Sequence, residues 1–200
     1  MGKVVEIKDI SGLDCAIDKI WYCCTGEVAP DFFSGRIQDL IGRDYSHSAW
    51  IYFSLDTCDF VVTNCTGKAV QLDNIGQLLS EGTVIRRIFE IKVTPEQRAA
   101  FCHKVVELDG TPYSRTRQLL WLAIAYKLRL TWSPFEDADA SMWCSEFSDE
   151  MAHTINLPKS AAYKRGGARC HVTPRDNVEC FEKLCIAEAG RVREITDLLK

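Results

Sequence analysis

The order of apolar and polar residues divides the chain into a first half of short apolar runs and a second half with longer helical patterns. The runs in the first half are rich in β-branched and aromatic residues, a composition that is typical of β-strands. We therefore predict four strands, at residues 18–26, 46–54, 60–67 and 83–93. The second and third strands are separated only by the segment LDTCD, which predicts a hairpin.

Helical signals become clear from residue 94 onwards. Thr94 can cap a helix, Pro95 suits its first position and Gln97 completes a capping box, while Gly110 ends the helix. Three further helices are predicted, at residues 118–130, at residues 143–155 and within residues 171–184. The segment at residues 31–42 is predicted to be a short helix or an irregular turn. The fold class is therefore α+β, with an antiparallel sheet packed against helices.

The overall composition is that of an ordinary globular chain of 200 residues, 46% hydrophobic and 26% charged. This length suits a single domain covering residues 1–200. The formal net charge of −4 argues against nucleic acid as the main partner. The N-terminal segment does not resemble a secretory signal. Lys127 and Arg129 interrupt the longest apolar stretch, so we predict no integral membrane segment and expect a cytoplasmic protein.

Ten cysteines without a secretory signal suggest a reducing compartment in which most of them are thiols. The spacing C-x-x-C, which is common in zinc sites, does not occur. Cys23 and Cys24 are adjacent, and neighbouring cysteines rarely bind one tetrahedral metal ion together. We therefore predict no metal site. A zinc or redox protein is an alternative that rests only on the number of cysteines.

Cys144 stands at the predicted start of the third helix. The unpaired N–H groups and the dipole of a helix N-terminus lower the pKa of a thiol, and the Cys144 N–H is suited to stabilise an oxyanion. Cys144, Phe147 and Met151 follow the helical repeat, so we expect them to face inward. Glu146 and Asp149 are expected to face outward. The alternative interpretation is that Cys144 is a small core residue.

A nucleophilic cysteine needs a base, and His47 is the best candidate among the four histidines. His47 begins a predicted strand, and the next strand places Asn64 on one face together with Val62 and Thr66. A Cys–His–Asn set is a known catalytic combination. His171, in a loop, is a second candidate for the base. Without a catalytic cysteine, His47 would be a histidine at a strand edge and Asn64 a turn residue.

The segments YSHSAWIYF, FVVTNCTGKAVQL, LDGTPYS and MWCSEF follow one another along the chain. Together they resemble the permuted papain-like cysteine hydrolases of the NlpC superfamily. That superfamily includes the bacterial YiiX-like group and is related to the lecithin–retinol acyltransferase-like enzymes. The resemblance spans about residues 18–180 and implies a permuted papain-like, NlpC-type fold, in which the histidine precedes the nucleophile.

By this resemblance, Cys144 is the nucleophile, His47 is the base and Asn64 orients the His47 ring. The third position is often Glu or His in the family, so Asn64 departs from the commoner pattern. The resemblance also suggests that Tyr113 lines the substrate cleft, and Trp143 could form an apolar wall for a substrate. The alternative interpretation is that these two side chains belong to the core.

The implied activity is the hydrolysis of an amide or related acyl bond through an acyl-enzyme on Cys144, as in a cysteine peptidase or amidase. The substrate would be a peptide, a lipid or another acyl or amide compound, and no metal or organic cofactor is implied. An acyltransferase or a lipid-directed thioesterase would use the same pair of residues, and a non-catalytic binding protein could retain the fold. The sequence carries no indication of the oligomeric state.

Overall fold

The computed structural model places an α+β arrangement in the residues that it describes, which are 5–30, 32–66, 69–79, 82–113, 124, 142–158 and 172–199. The strands are β1 (Lys19–Glu27), β2 (His47–Ser54), β3 (Asp59–Thr66), β4 (Ala69–Asn74), β5 (Thr83–Lys92) and β6 (Val192–Glu194). The helices are α1 (Phe32–Ile41), α2 (Ile75–Leu78), α3 (Pro95–Leu108), α4 (Cys144–Thr154) and α5 (Pro174–Ala187), followed by a 3-10 helix at Thr196–Leu199.

These six strands form one antiparallel sheet in the order β4-β3-β2-β1-β5-β6. The central strand β1 pairs with β2 from Ile20↔Tyr52 to Thr25↔His47, and it pairs with β5 on its other side. Every residue of β1 between its two terminal residues is buried. This pattern shows that the sheet is covered on both faces at its centre.

Helices α3, α4 and α5 cover one face of the sheet. The core on this face includes Tyr22 and Trp50 from the strands, Phe101 from α3 and Phe181 from α5. The Phe181 ring stacks on Tyr22 with the ring centroids 4.4 Å apart, and Trp50 meets Phe101 edge to face at 5.6 Å. Helix α4 lies within this layer and packs against β2, β3, α3 and α5.

The opposite face of the sheet is covered by shorter segments from the two ends of the chain. Ile7 and Ile10 precede β1 and pack in one cluster with Trp21, and Ile195 after β6 joins the same cluster. The packed region of the protein therefore includes residues on both sides of the 18–180 span.

Gly26, near the end of β1, permits the close approach of the segment that leads into β2. A side chain at this position would overlap the carbonyl oxygen of Asp44. Just beyond this point, the Ser46 N–H donates to the Thr25 carbonyl at 3.0 Å. These contacts fix the place where β2 begins, and its first residue is His47.

The α+β class and the antiparallel sheet packed against helices are confirmed. All four predicted strands occur, and the segment at residues 31–42 contains a helix. The sequence analysis does not predict β4 or β6, because apolar and polar residues alternate over only four positions of β4, Val70 to Asp73, and β6 has only three residues. The predicted helix at residues 118–130 lies outside the described residues, apart from Ile124, which is helical.

The predicted capping box at the start of α3 is confirmed. The Thr94 side chain accepts a hydrogen bond from the Gln97 N–H at 3.3 Å, and the Gln97 side chain accepts one from the Thr94 N–H at 3.0 Å. Gln97 also donates to the Ile155 carbonyl at 3.0 Å, which ties the start of α3 to the end of α4. Thr173 and Asp176 form an equivalent box at the start of α5.

Replacement of Phe181 by alanine should destabilise the protein, because the ring is 3% exposed and packs on Tyr22 and Phe89. Loss of a buried phenylalanine side chain lowers the free energy of unfolding by about 3–5 kcal/mol. Ile186→Ala, on the same helix at 86% exposure, is the control and should change this energy by less than about 0.5 kcal/mol. Urea denaturation of the three proteins makes the comparison. Equal effects of the two substitutions would contradict the packing described.

Candidate active site

Cys144 is the first residue of α4, where the sequence pattern places the start of a helix. Trp143 is the N-cap residue, has an extended backbone and makes no side-chain hydrogen bond to the helix. No capping side chain therefore occupies the N–H groups of the first turn. Cys144, Phe147 and Met151 are all buried, which confirms the inward face of this helix.

The expectation that Asp149 faces outward is wrong, because this residue is 4% exposed. Helix α4 packs against two strands and two helices, so more than one of its sides is covered. The helical repeat alone could not indicate this, because a charged residue in a regular pattern normally marks the solvent side. Glu146 is half-buried.

Strands β2 and β3 separate near the N-terminus of α4. Their ladder stops at Ala49↔Asn64, although both strands continue beyond that pair. Past this point His47 and Ser48 pair with β1, and Cys65 pairs with β4. We call the opening bounded by His47, Ser48 and Cys65 the β2–β3 gap.

The Cys144 thiol lies at the β2–β3 gap, on the side of the sheet that the helices cover. The Ser48 N–H donates a hydrogen bond to the thiol sulfur. The thiol also interacts electrostatically with Cys65, whose own thiol donates to the Met142 carbonyl at 3.2 Å. The N-terminus of α4 therefore lies where the pairing between β2 and β3 ends.

Burial raises the pKa of the Cys144 thiol to about 11. Hydrogen bonds from the N–H groups of Ser48, Ser145 and Cys144 itself favour the thiolate and offset part of this effect. The lowering of the pKa expected from the helix N-terminus is thus outweighed by the loss of water around the sulfur. The thiol is protonated at neutral pH in this structure.

A buried polar cluster adjoins the thiol on the helix side. The Tyr22 hydroxyl lies 3.0 Å from the Ser48 hydroxyl and 3.0 Å from the Cys24 thiol. Burial raises the pKa of Cys24 to about 12, and Cys24 also interacts electrostatically with Cys144. The sulfur of Cys144 therefore has both backbone N–H groups and neutral polar side chains in its surroundings.

His47 and Ser48 project to opposite faces of β2, because successive side chains of a strand alternate. Burial lowers the pKa of His47 to about 4, and the interaction with the Asn64 side chain and the charge of Asp73 offset part of this effect. The residue is half-buried, but its Nε2 atom is fully buried. The imidazole is therefore neutral at neutral pH.

The structure brings His47 to Asn64, and it brings Cys144 to the peptide group that joins His47 to Ser48. His47 Nε2 has no hydrogen-bond partner among the described residues, and no hydrogen bond there joins the ring to the thiol. The ring and the thiol approach the β2–β3 gap from opposite faces of the sheet. The roles of these three residues in catalysis stay predictions. The second candidate base, His171, lies outside the described residues.

Tyr113 and Trp143, the two residues predicted to contact a substrate, both lie close to Cys144. Tyr113 forms an isolated parallel bridge with Met142, two residues before Cys144. Trp143 is 2% exposed, and its indole N–H has no hydrogen-bond partner among the described residues. Their contact with a substrate stays a prediction.

Asp73 and Gln71 lie beside Asn64 on the neighbouring strand, and the sequence analysis does not single them out. Asn64 Nδ2 donates to Asp73 Oδ2 at 2.8 Å, and Gln71 Nε2 donates to the same oxygen at 2.9 Å. Gln71 pairs directly with Asn64 in the ladder between β3 and β4. Recognition of AVQLDN as a strand would have placed both polar residues on the face of Asn64.

The described residues contain no group of three or more His, Cys, Asp or Glu side chains arranged to hold a metal ion. The nine cysteines among them are free thiols. In the same part of the chain, no helix combines the length and the apolar character needed to cross a membrane.

The chain was compared with family models, curated proteins and solved structures, and a similarity was found among the solved structures. No protein-family model matches the chain, and no curated protein matches it. Among solved structures, the chain is similar to the metalloprotein yiiX from Escherichia coli, at 15% sequence identity and a TM-score of 0.47. The similarity covers 72% of this chain and 67% of that chain. Its name is that of the YiiX-like group that the sequence motifs resemble.

His47 should make the stability of the protein depend on pH. Its pKa is about 4 in the folded state against 6.5 for the free side chain, so the folded state disfavours the charged ring. The neutral His47 ring therefore contributes to the free energy of unfolding in full above pH 6.5, and this contribution is lost as the pH falls towards 4. We expect the wild type to lose about 3 kcal/mol relative to His47→Gln across this range.

Urea denaturation at several pH values measures this difference. His153→Gln, which changes an exposed histidine on α4, is the matched control and should follow the wild type. A His47→Gln protein with the same pH dependence as the wild type would show that the ring is not held neutral by burial.

Proposed function

We propose that the protein is a cysteine hydrolase of the peptidase or amidase type, with a permuted papain-like architecture. Cys144 is the nucleophile, His47 is the general base and Asn64 orients the His47 ring. The observation that carries this proposal is the position of the Cys144 thiol at a helix N-terminus, where it accepts a hydrogen bond from the Ser48 N–H. Ser48 directly follows His47 in the chain.

The order of the three residues along the chain supports the permuted architecture. His47 and Asn64 come from adjacent antiparallel strands, and Cys144 follows at the start of a helix that packs on those strands. An arrangement of nucleophile, base and orienting group is recognised by geometry and roles, and several chain orders give the same chemistry.

Catalysis from this resting state begins with a neutral thiol and a neutral imidazole. A ring nitrogen of His47 takes the proton from the Cys144 sulfur as the sulfur attacks the carbonyl carbon of an amide or ester. The new S–C bond converts the carbonyl into a tetrahedral oxyanion. The protonated imidazole then gives its proton to the leaving amine or alcohol, and water cleaves the acyl-enzyme.

The backbone N–H groups around the thiol provide the stabilisation of the oxyanion. Those of Cys144, Ser145 and Ser48 already point at the sulfur, to which the oxyanion would be bonded through one carbon atom. Donors held in place before the reaction are effective because they need no reorganisation when charge develops. Proton transfer across the β2–β3 gap requires the ring and the sulfur to move closer during the reaction.

A non-catalytic thiol is the second candidate function. The pKa of about 11 and the burial of Cys144 favour it, because a buried neutral thiol behaves as a small apolar residue. In this case the fold would serve as a binding protein, and His47 would have no influence on the sulfur.

An activated ester separates these two functions. We expect p-nitrophenyl acetate to transfer its acetyl group to Cys144, with release of p-nitrophenolate, and mass spectrometry to detect the thioester. His47→Gln should slow this transfer by about 100-fold, a magnitude typical of general-base catalysis. The exposed Cys15 and Cys58 report general thiol reactivity, and their acetylation should not depend on His47.

Acetylation of Cys144 that is no faster than that of Cys15, or that is unchanged in His47→Gln, would refute the hydrolase proposal. Transfer of the acetyl group from Cys144 to an added amine or alcohol in preference to water would establish the acyltransferase alternative in its place.

A further inference from the structure

Asp73 occupies a position on β4 that controls the side chain of Asn64. Its Oδ2 atom accepts hydrogen bonds from Asn64 Nδ2 at 2.8 Å and from Gln71 Nε2 at 2.9 Å. The carboxylate therefore holds two amide groups that project from neighbouring strands on one face of the sheet.

The carboxylate determines which way the Asn64 amide points. An asparagine side chain has one donor end and one acceptor end, and its orientation is assigned from its partners. A carboxylate only accepts hydrogen bonds, so the Nδ2 end of Asn64 must face Asp73. The Oδ1 end is consequently directed away from Asp73.

Two buried atoms on this face can form a donor and acceptor pair. His47 Nε2 and Asn64 Oδ1 are both buried, and neither has an aligned hydrogen-bond partner among the described residues. The Asn64 side chain interacts with the His47 ring in the sense that an acceptor does, because it favours the protonated ring. The simplest pairing of the two atoms is a long Nε2–H···Oδ1 contact, of the kind that tightens when a substrate binds.

We propose that Asp73 is a positioning residue that fixes the Asn64 amide with Oδ1 towards His47, and thereby holds the imidazole proton on Nε2. This inference deepens the proposed function and rests on it. The neutral ring then carries its free lone pair on Nδ1, so Nδ1 is the nitrogen that accepts the proton of Cys144.

Asp73 acts in this way through Asn64 and without touching the reacting atoms. Loss of the carboxylate would let the Asn64 amide rotate by half a turn and present Nδ2 to the ring. A donor in that place favours a lone pair on Nε2 and moves the proton to Nδ1. The nitrogen needed for the reaction would then be protonated already, and the imidazole could not act as the base.

The position of the His47 proton can be measured by nitrogen-15 NMR of the intact protein labelled in its histidines. At neutral pH the wild-type ring is neutral, and we expect its one-bond N–H coupling at Nε2. In Asp73→Ala a substantial fraction of the ring should carry the proton on Nδ1. Acetylation of Cys144 by p-nitrophenyl acetate should fall by at least about tenfold in this variant, because the wrong tautomer lacks the free nitrogen.

Gln71→Ala is the matched control. It removes the second donor to Asp73 Oδ2 and leaves the hydrogen bond from Asn64 in place. The tautomer and the acetylation rate of this variant should equal those of the wild type. If Asp73→Ala does not fold, Asp73→Asn keeps the shape of the side chain and should shift the tautomer in the same direction by a smaller amount.

A wild-type His47 ring with its proton on Nδ1, or a tautomer that is unchanged in both Asp73 variants, would overturn the inference. A tautomer that shifts as expected while acetylation of Cys144 stays at the wild-type rate has a different meaning. In that case Asp73 does position the ring, and it is the assignment of His47 as the base that fails.

Discussion

The separation of β2 and β3 past the Ala49–Asn64 pair is the constraint on which the candidate site depends. A continued ladder would bond the Ser48 N–H to the neighbouring strand and leave no room for a sulfur atom at that level. Because the strands separate, Cys144 at the start of α4 can reach the sheet and accept a hydrogen bond from the Ser48 N–H. Gly26 contributes to the same geometry, since it lets the Asp44 segment pass close to β1 and sets the start of β2.

Burial is the second determinant of the candidate site, and it favours the uncharged form of both Cys144 and His47. It raises the pKa of the Cys144 thiol and lowers that of the His47 imidazole, so each group is uncharged at rest. The hydrogen bonds around the sulfur and the Asn64–Asp73 pair beside the ring oppose this trend without reversing it. In the proposed reaction a charge pair would form only during proton transfer, and the N–H groups around the sulfur would stabilise its negative charge.

The sequence predicted the strands and helices with strong periodic or capping signals, such as the Thr94 capping box and the aromatic strand that begins at His47. It also placed Cys144 at a helix start and Asn64 beside His47. It did not predict β4, because apolar and polar residues alternate there only from Val70 to Asp73, and the strand ends in Asp and Asn, which are uncommon in strands. The burial of Asp149 and the raised pKa of Cys144 depend on how many elements surround α4, which is a property of tertiary packing and not of local pattern.

The place of Asp73 at the sheet edge has a consequence for the dynamics of the site. Val70, at the start of β4, is tied on its outer side to Gly110 and Thr111 by backbone hydrogen bonds of 3.0 and 2.8 Å. Asp73 lies three residues further along and is half-buried. Edge strands open locally at a lower free energy than central strands do, and amide hydrogen exchange detects such opening. We therefore expect the two halves of the candidate site to differ in protection from exchange, since Cys144 packs on central elements while Asp73 belongs to an edge strand that can open on its own.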